Sequence, residues 1–409
     1  HAEGNATTAS GGQSHAEGGF TVSSGDCSHA EGHYATASAA GSHAEGYNTK
    51  AQGNYGHSEG YETKAYCGYG HAEGYKTTAG RENAMMINSA HAEGESTQAT
   101  AQAAHSEGYQ TTASGAYSHA EGNATTASGG QSHAEGNTSR AYGVNSHAEG
   151  DDTQAGSNQY TIAPHSEGSG TQAMGNYSHA EGKNTQVTGE CGHSEGKETV
   201  ATSTCSHAEG YKSSSNAEYS HAEGYQTATR GIAAHAEGYQ TQVFGNYSHV
   251  EGNNTVSTYE SQHVCGKYNI PVDSAFIVGG GIDNSNRKNI YVLDWEGNAI
   301  FHGDVTNGDG ISLNGLKSDL DTIKEIAAGA SEAKVFNTKT DLNEWLAAEG
   351  NASTLKIGQN IYIVETGSPD YWWDGEGLQV LETETVVVES LTYDETMAIL
   401  NEGESEGVA

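Results

Sequence analysis

The sequence has few large hydrophobic residues, almost no proline and little positive charge. Among 409 residues there are five phenylalanines, four methionines and three prolines, and the hydrophobic fraction is 34%. These residues cannot fill the two or three globular cores that a chain of this length ordinarily contains. Taken alone, this composition and the net charge of −36 would indicate a disordered chain. A folded chain of this composition needs a thin core.

The charge balance and the missing motifs exclude several classes of function. With 53 acidic against 17 basic residues, we expect neither nucleic acid nor an anionic membrane surface as a partner. No run of about 18 apolar residues is present, so no membrane insertion is predicted. The sequence contains no zinc-protease, serine-hydrolase, phosphate-loop or calcium-repeat motif, so we predict no enzyme, no catalytic residue and no cofactor.

A repeating unit of fourteen residues organises the first two thirds of the chain. It reads most clearly at residues 14–18, Ser-His-Ala-Glu-Gly, followed by Thr21 and Gly25. Its histidine occurs nineteen times from His1 to His263, at a constant spacing of fourteen except for two longer intervals of twenty and eighteen. A fixed period of this length predicts a solenoid in which each repeat is one coil. Because the chain opens within a repeat, we expect the natural protein to continue upstream.

The repeat divides into two short extended segments, Ser-His-Ala-Glu-Gly and Thr-x-Ala-x-Gly, joined by two-residue corners. Side chains alternate along a strand, so the small residues face one way and the His and Glu of the first segment face the other. Two facing columns of small residues predict a narrow roll of two closely packed sheets. The glycine at each corner is expected to supply a positive φ, and the asparagine of the three Gly-Asn-Tyr corners to tolerate one.

The outward residues of the two segments differ in how much they vary. Those of the second segment are polar and change from coil to coil, as at Lys50, Gln98 and Arg140, which is typical of a solvated face. Those of the first segment are His and Glu in eighteen units. Solvent does not require such repetition, so we predict that the His and Glu face packs against another copy of the chain.

The pattern Ser-His-Ala-Glu-Gly-x-x-Thr-x-Ala-x-Gly resembles the Ser-Val-Ala-Ile-Gly-x-x-Ser-x-Ala-x-Gly repeat of trimeric autotransporter adhesin heads, which also occurs in bacteriophage tail-fibre proteins. The similarity covers residues 1–266, with the small, glycine and threonine columns in phase. It implies a mainly β fold, a left-handed parallel β-roll solenoid with 14-residue coils, assembled as a homotrimer. Here His and Glu replace the aliphatic pair that lines the trimer axis in that family.

The resemblance places the His and Glu columns at the trimer axis. The axis residues that we single out are His15, Glu17, His29, Glu31, His43, Glu45, His119, Glu121, His179, Glu181, His221 and Glu223. We expect ladders of His–Glu hydrogen bonds there, with scattered axial ions as the alternative and no metal site assigned. A histidine beside a carboxylate should have a raised pKa, so the roll is expected to be most stable in mildly acidic solution. The alternative is that burial lowers the pKa, in which case the ladders consist of neutral histidines that donate to the glutamates.

Two insertions and two cysteines stand out within the roll. The insertions span 76–90, with Ala-Met-Met-Ile at 84–87, and 151–164, with Tyr-Thr-Ile at 160–162. We expect these loops to pack on the roll or on a neighbouring chain, and lateral binding loops are the alternative. Cys191 and Cys205 occupy the same position in consecutive repeats, so a disulfide between neighbouring coils is sterically conceivable, but we predict free thiols.

After residue 266 the period stops. Residues 267–307 contain three segments with strand patterns and resemble the small β connector that follows such repeats in phage tail proteins. Residues 308–330 carry apolar side chains from Leu313 to Ala327 at spacings of 3, 4, 3 and 4, which predicts a short trimeric coiled coil. Residues 331–409 are expected to form a small α+β domain that resembles domains near the C-termini of phage tail proteins.

Within this last domain we predict two helices and a group of aromatic residues. A capped helix is expected around Leu342, and a terminal helix at 392–400. Tyr371, Trp372 and Trp373 are candidates for glycan contact, although core packing competes for at least one tryptophan. Tyrosine columns on consecutive coils of the roll could also stack sugar rings, or could simply shield its edge. Their members are Tyr47, Tyr61 and Tyr75, and Tyr211, Tyr225 and Tyr239.

Taken together, these features predict a structural and receptor-binding fibre protein of a bacteriophage tail, located in the virion and without catalysis. Its partners would be further copies of itself, a host cell-surface glycan or protein, and other tail or baseplate proteins. The alternative is a trimeric adhesin at a bacterial cell surface. A glycan depolymerase is the weakest alternative, because no paired acid–base carboxylates stand out after residue 266.

Overall fold

The computed structural model describes residues 1–82, 89–306, 312–330 and 332–381. Contacts between residues divide the chain into two units, the first spanning His1–His302 and the second beginning at Gly303. The Ala-Met-Met-Ile segment at 84–87 and the helix predicted at 392–400 lie outside the described residues.

Each coil of the first unit contains one long strand and one short strand. The long strand carries His-Ala-Glu-Gly, as in His15–Gly19, and after two linking residues the short strand follows, as in Val22–Ser23. Long strands of consecutive coils pair in parallel and in register, so that His15 lies beside His29. The register is kept across both insertions, where the histidines on either side of the inserted loop are still neighbours. The predicted parallel β-solenoid with 14-residue coils is therefore confirmed.

The strands of the solenoid form two sheets. The long strands are Ala2–Asn5, His15–Gly19, His29–His33, His43–Tyr47, His57–Tyr61, His71–Tyr75, His91–Glu95, His105–Tyr109, His119–Asn123, His133–Asn137, His147–Asp151, His165–Ser169, His179–Lys183, His193–Lys197, His207–Tyr211, His221–Tyr225, His235–Tyr239, His249–Val250 and His263–Lys267. The short strands are Thr8–Ala9, Val22–Ser23, Thr36–Ala37, Lys50–Ala51, Lys64–Ala65, Thr78–Ala79, Gln98–Ala99, Thr112–Ala113, Thr126–Ala127, Arg140–Ala141, Gln154–Ala155, Gln172–Ala173, Gln186–Val187, Val200–Ala201, Ser214–Ser215, Ala228–Thr229, Gln242–Val243 and Val256–Ser257.

The core between the two sheets is made of small residues, as predicted. The alanine after each histidine and the alanine of the short strand are fully buried, as at Ala120 and Ala127. The threonine column is also buried, and most of its hydroxyls, such as that of Thr125, have no hydrogen-bond partner among the described residues. Where serine replaces the alanine after histidine, its hydroxyl meets the threonine hydroxyl, as between Ser106 and Thr111 at 2.8 Å. Four such pairs occur, one for each His-Ser-Glu-Gly copy.

The serine that precedes the histidine closes the second turn of the coil. In most coils it is buried, and its hydroxyl donates to the carbonyl oxygen three residues earlier, as from Ser118 to Gly115 at 2.7 Å. The same bond recurs from Ser132 to Gly129 and from Ser146 to Gly143. The hydroxyl adds a second, shorter hydrogen bond to a turn carbonyl that also accepts from the backbone N–H of the serine, as from Ser118 to Gly115 at 3.2 Å. This explains why serine opens the repeat.

The corners of the coils require residues with positive φ, and these recur every seven residues. Phe20 and Cys27, at 57° and 56°, are the two corner residues of one coil. The glycine of His-Ala-Glu-Gly also has a positive φ, 111° at Gly18. The glycine of the second segment does not: Gly25 is required because a Cβ there would overlap the carbonyl oxygen of Ala39 in the next coil.

Two expectations about these corners are therefore wrong. The second glycine of the repeat serves close backbone approach rather than positive φ. In the Gly-Asn-Tyr corners the asparagine does not have the positive φ. The residue that has it is the tyrosine that follows, namely Tyr55, Tyr177 and Tyr247 at 57°, 55° and 57°. A non-glycine residue with a positive φ is strained by about 1 kcal/mol. The hydrogen bonds between neighbouring coils must offset this strain at every such corner.

The C-terminal end of the solenoid is closed by three strands and by amide side chains. Phe276–Gly280 pairs in parallel with the last long strand, and Asn289–Leu293 and Ala299–Phe301 follow antiparallel. The segment predicted as a β connector thus extends the sheet of long strands. The amide of Asn269 bonds the backbone N–H and C=O of Val256 at 2.7 and 2.9 Å. It thereby takes the place of a further short strand and satisfies the sheet edge.

Up to residue 381, the described part of the second unit contains two helices, a short 3₁₀ helix and a four-stranded sheet. The elements are Leu313–Ala330 (α), Lys334–Phe336 (β), Lys339–Ala347 (α), Ala352–Thr354 (3₁₀), Asn360–Ile363 (β), Tyr371–Trp373 (β) and Leu378–Val380 (β). Thr338 and Asp341 form a capping box at the start of the helix predicted around Leu342. Leu342 and Ile361 are fully buried in the core of this unit.

Candidate functional site

The candidate site is the outward face of the long strands, which we call the His/Glu ladder. It consists of the nineteen column histidines, from His1 to His263, and the glutamate two residues after each of the first eighteen. All twelve axis residues singled out from the sequence lie on it, because in-register pairing places each histidine beside the next and each glutamate beside the next. From the second coil onward the histidines are half-buried, whereas the glutamates are more exposed.

The imidazole rings of the ladder are stacked along it. From His29 onward, neighbouring ring centroids are 4.5 to 4.9 Å apart and the rings are within 23° of parallel. The closest pair is His207 and His221, at 4.5 Å and 3°. This spacing follows from the distance between parallel strands, which is about 4.8 Å. Each ring is therefore held between two others and shielded from water on both faces.

The expected ladder of His–Glu hydrogen bonds is not formed within one chain. Only His1 has Nε2 at hydrogen-bond distance, 3.3 Å, from its glutamate. In thirteen other coils the Nε2–Oε2 distance is 3.6 to 4.0 Å. The glutamate lies two residues along the strand from its histidine. Because each ring stacks on its neighbours, the imidazole is not turned toward that carboxylate. As a result, Nε2 of the other eighteen ladder histidines is buried without a hydrogen-bond partner among the described residues.

The pKa shifts of the ladder histidines have the opposite sign to the one expected from the sequence. Burial, and after it the neighbouring imidazoles, lowers the pKa of eight of them, and the glutamates offset this only in part. For His207 the pKa falls from 6.5 to about 4. The eight are His43, His91, His119, His165, His179, His207, His235 and His249. The expectation of a raised pKa is therefore wrong, and these imidazoles are neutral at pH 7.

The ladder also brings metal-ligating groups together. Among the described residues there are eight groups of at least three donors that each offer a ligand atom within 4.8 Å of the others. Five of these are a histidine, its glutamate and the histidine of the next coil. They are His105–Glu107–His119, His119–Glu121–His133, His133–Glu135–His147, His165–Glu167–His179 and His193–Glu195–His207. Neutral imidazole and carboxylate are ordinary ligands of divalent transition metals.

Most of the aromatic candidates for glycan contact have covered ring faces or lie in a core, and Trp372 is the exception. Tyr47, Tyr61 and Tyr75 stack face to face at 4.9 and 5.1 Å. Their ring faces are covered by one another, so sugar rings could meet only ring edges and hydroxyls along this column. In the second unit, Tyr371 is in the core at 6% exposure and Trp373 packs against that core. Trp372 lies between them on the strand and therefore faces the opposite side of the sheet.

The second insertion packs on the roll and leaves one aromatic side chain exposed. Thr161 is buried, and the backbone N–H of Ile162 donates to the side chain of Asn176 at 3.0 Å. Tyr160 is 77% exposed and lines an open polar hollow together with Glu190. All five cysteines are free, including the pair on neighbouring coils, as predicted.

Comparison with protein-family models and with curated proteins gives no relative of this chain. No protein-family model matches it, and no curated protein matches it either. Among the helices that the structure describes, none combines the length and the apolar character that crossing a membrane requires. The function must therefore be inferred from the surfaces of the chain itself.

Proposed function

We propose that this chain is a structural and receptor-binding fibre protein of a bacteriophage tail, assembled as a homotrimer through its His/Glu ladder. The observation that carries the proposal is the row of eighteen buried Nε2 atoms without a hydrogen-bond partner among the described residues. Buried polar atoms in proteins are almost always paired, so an unbroken row of exceptions calls for partners outside the chain. The glutamates of neighbouring copies, which repeat at the same spacing, are suitable acceptors for neutral imidazole N–H groups.

The opposite face of the coil supports the same conclusion. The short strands carry Lys50, Gln98 and Arg140 at equivalent positions, and this variation suits contact with water. The ladder hardly varies from one coil to the next. A homotrimer whose axis runs along the ladder would give every coil the same environment, and identical residues would then be required at every level. The three-fold symmetry comes from the resemblance to trimeric adhesin heads.

The helix Leu313–Ala330 carries a second exposed surface. Leu313, Leu316, Leu320 and Ile323 follow the heptad spacing and are 59%, 51%, 50% and 60% exposed. An apolar seam of this kind is the contact surface of a coiled coil. Two heptads are marginal in isolation, but copies already joined through their ladders would hold such helices at high local concentration.

The attachment role rests on the resemblance of the repeat, the connector and the last domain to phage tail proteins. On this proposal the protein is part of the virion and contacts a host surface glycan or protein through the second unit. Trp372 is the aromatic candidate for that contact, because Tyr371 and Trp373 pack on the core side. A trimeric adhesin of a bacterial surface is the second candidate, since the same repeat resembles those heads.

Binding of the full chain to bacterial cells tests this role. Fluorescently labelled protein is incubated with a panel of bacterial cells and with their purified surface polysaccharides. We expect saturable binding to some strains, reduced at least about tenfold by Trp372→Ala with the fold retained. Trp295→Ala is the matched control, because this tryptophan is 50% exposed but belongs to the first unit, whereas Trp372 is half-buried in the second. Equal binding by all three proteins would exclude Trp372 from the contact, and no binding to any surface would contradict the attachment role.

A further inference from the structure

We propose that the His/Glu ladder is a row of binding sites for divalent transition-metal ions, each held by two stacked histidines and one glutamate. His105, Glu107 and His119 form a representative site. Nε2 of His105 is 3.8 Å from the glutamate carboxylate, and all three donor groups offer atoms within 4.8 Å of one another. The donors come from a single chain, so this inference does not require the proposed trimer.

Among the described residues, no positively charged group other than the histidines is paired with the ladder glutamates. The ladder glutamates form ion pairs only with histidines in the part of the chain that the structure describes, and no lysine or arginine there reaches them. The glutamates repeat at the coil spacing in a chain of net charge −36, so they repel one another. This repulsion runs along the whole row, beside imidazole nitrogens that have no hydrogen-bond partner among the described residues. A divalent cation would offset it.

The donor chemistry selects the class of cation. Mg²⁺ and Ca²⁺ prefer sites built from oxygen ligands, whereas imidazole favours Zn²⁺, Ni²⁺, Cu²⁺ and Co²⁺. The buried Nε2 atoms have no hydrogen-bond partner among the described residues. At a histidine that holds an ion, Nε2 would be the ligand atom and the ring would carry its proton on Nδ1, so that the metal replaces the hydrogen bond to a neighbouring copy at that position.

The geometry requires only small adjustments. Zn²⁺ binds nitrogen and oxygen at about 2.0–2.1 Å, which places tetrahedral ligands roughly 3.3 Å apart. Side-chain rotations that move the donor atoms by about an ångström would bring a histidine, its glutamate and the next histidine to that separation. Water, or a carboxylate from another copy, would complete the coordination. Each ion takes two of the nineteen histidines through Nε2, so a chain can hold nine ions at most.

Metal counting on the full chain, prepared without an affinity tag and stripped with EDTA, tests the proposal. Equilibrium dialysis against micromolar Zn²⁺ at pH 7.5, read by atomic emission, should give several ions per chain, and no more than nine. Millimolar Mg²⁺ or Ca²⁺ should not displace them. Less than one bound Zn²⁺ per folded chain would overturn the proposal.

Two sets of variants locate the ions. Replacing His165, His179, His193 and His207 together by glutamine should remove about two ions, because these residues form two separate sites. The matched control is His33→Gln with His302→Gln, the two histidines outside the ladder, which should remove none. Equal losses in both variants, or losses only in the control, would show adventitious binding and overturn the proposal.

A second pair of variants covers the case in which four substitutions unfold the chain. Glu167→Gln with Glu195→Gln keeps the histidine stack and should weaken the same two sites at least about tenfold. Unchanged affinity in this folded variant would exclude the glutamates as ligands and overturn the proposal. Molar mass measured in EDTA separates this result from the oligomer, because a trimer that persists without metal and binds none would refute this inference alone.

Discussion

Acidification should destabilise the solenoid, because its histidines are held neutral. The pKa of eight ladder histidines is lowered in the folded chain, in each case first by burial. Below pH 6.5 the unfolded chain therefore binds more protons than the folded chain. Their contribution to stability is complete above pH 6.5 and is lost as the pH falls toward the folded pKa, which is about 4 for His207.

The magnitude of this loss can be worked out from the exposure of the rings. Between pH 6.5 and 5, a histidine that stays neutral only in the folded state contributes up to about 2 kcal/mol. The side chain of His207, whose pKa falls to about 4, is 33% exposed, so solvent screening reduces this to roughly a quarter, about 0.5 kcal/mol. The pKa values of the other seven histidines are shifted in the same direction, so their losses in acid add to that of His207.

Thermal melts followed by circular dichroism, on the full chain in EDTA from pH 5 to pH 8, measure the effect. We expect the melting temperature to fall steadily below pH 6.5 and to change little from pH 7 to pH 8. The variant with glutamine at His165, His179, His193 and His207 lacks three of the eight histidines with a lowered pKa. Its melting temperature should therefore fall less in acid than that of the unchanged chain. A melting temperature highest near pH 5 and falling toward pH 8 would show the opposite, namely that the histidines are charged in the folded chain and paired with the glutamates.

Three substitutions in the solenoid, with a fourth as a control, test its packing by urea denaturation. Gly122→Ala should cost about 3 kcal/mol or more, because a Cβ would overlap the backbone of the next coil at a φ of 106°. Gly130→Ala is its control and should change stability by well under 1 kcal/mol, since the nearest atom to its Cβ is 4.0 Å away. Ala120→Ser should stabilise by about 1 kcal/mol by giving the buried hydroxyl of Thr125 a partner, and a loss would show that the core cannot hold the added oxygen. Asn269→Ala should cost about 2 kcal/mol, because two backbone groups at the sheet edge lose their partner, and no change would mean that water replaces it.

The features that could be predicted from the sequence are those carried by period and alternation. The interval between histidines gives the coil length, and the alternation in Ser-His-Ala-Glu-Gly gives the inner and outer faces. The small side chains inside follow from the same pattern, as at Ala120 and Ala127. Both insertions could be placed as loops because the register of the histidines resumes after them.

The features that could not be predicted depend on distances across the coil. Corner residues with a positive φ recur every seven residues, and this spacing places one at Tyr55. Residue preferences alone would place it one position earlier, at the asparagine. The lowered pKa of His207 depends on how deeply the ring is buried between its neighbours, whereas the sequence shows only an adjacent carboxylate. Tyr371 is buried because its segment forms a third strand of the small sheet, although the sequence reads as a link between strands. The hydrogen bond between the hydroxyls of Ser106 and Thr111, in contrast, could have been predicted from the sequence. Wherever serine follows the histidine, a threonine stands five residues later.

The molar mass of the full chain in solution tests most directly the claim that the His/Glu ladder packs against other copies. Sedimentation equilibrium or light scattering in EDTA at pH 7.5 should return three times 42.6 kDa, about 128 kDa, over a wide range of protein concentration. Charge reversal on the ladder, by Glu107→Lys with Glu121→Lys, should weaken this assembly, whereas Gln98→Lys with Thr112→Lys on the short strands should leave it unchanged. A stable, folded species of 42.6 kDa would contradict the account, because it would leave eighteen buried Nε2 atoms of the ladder without any partner among the described residues.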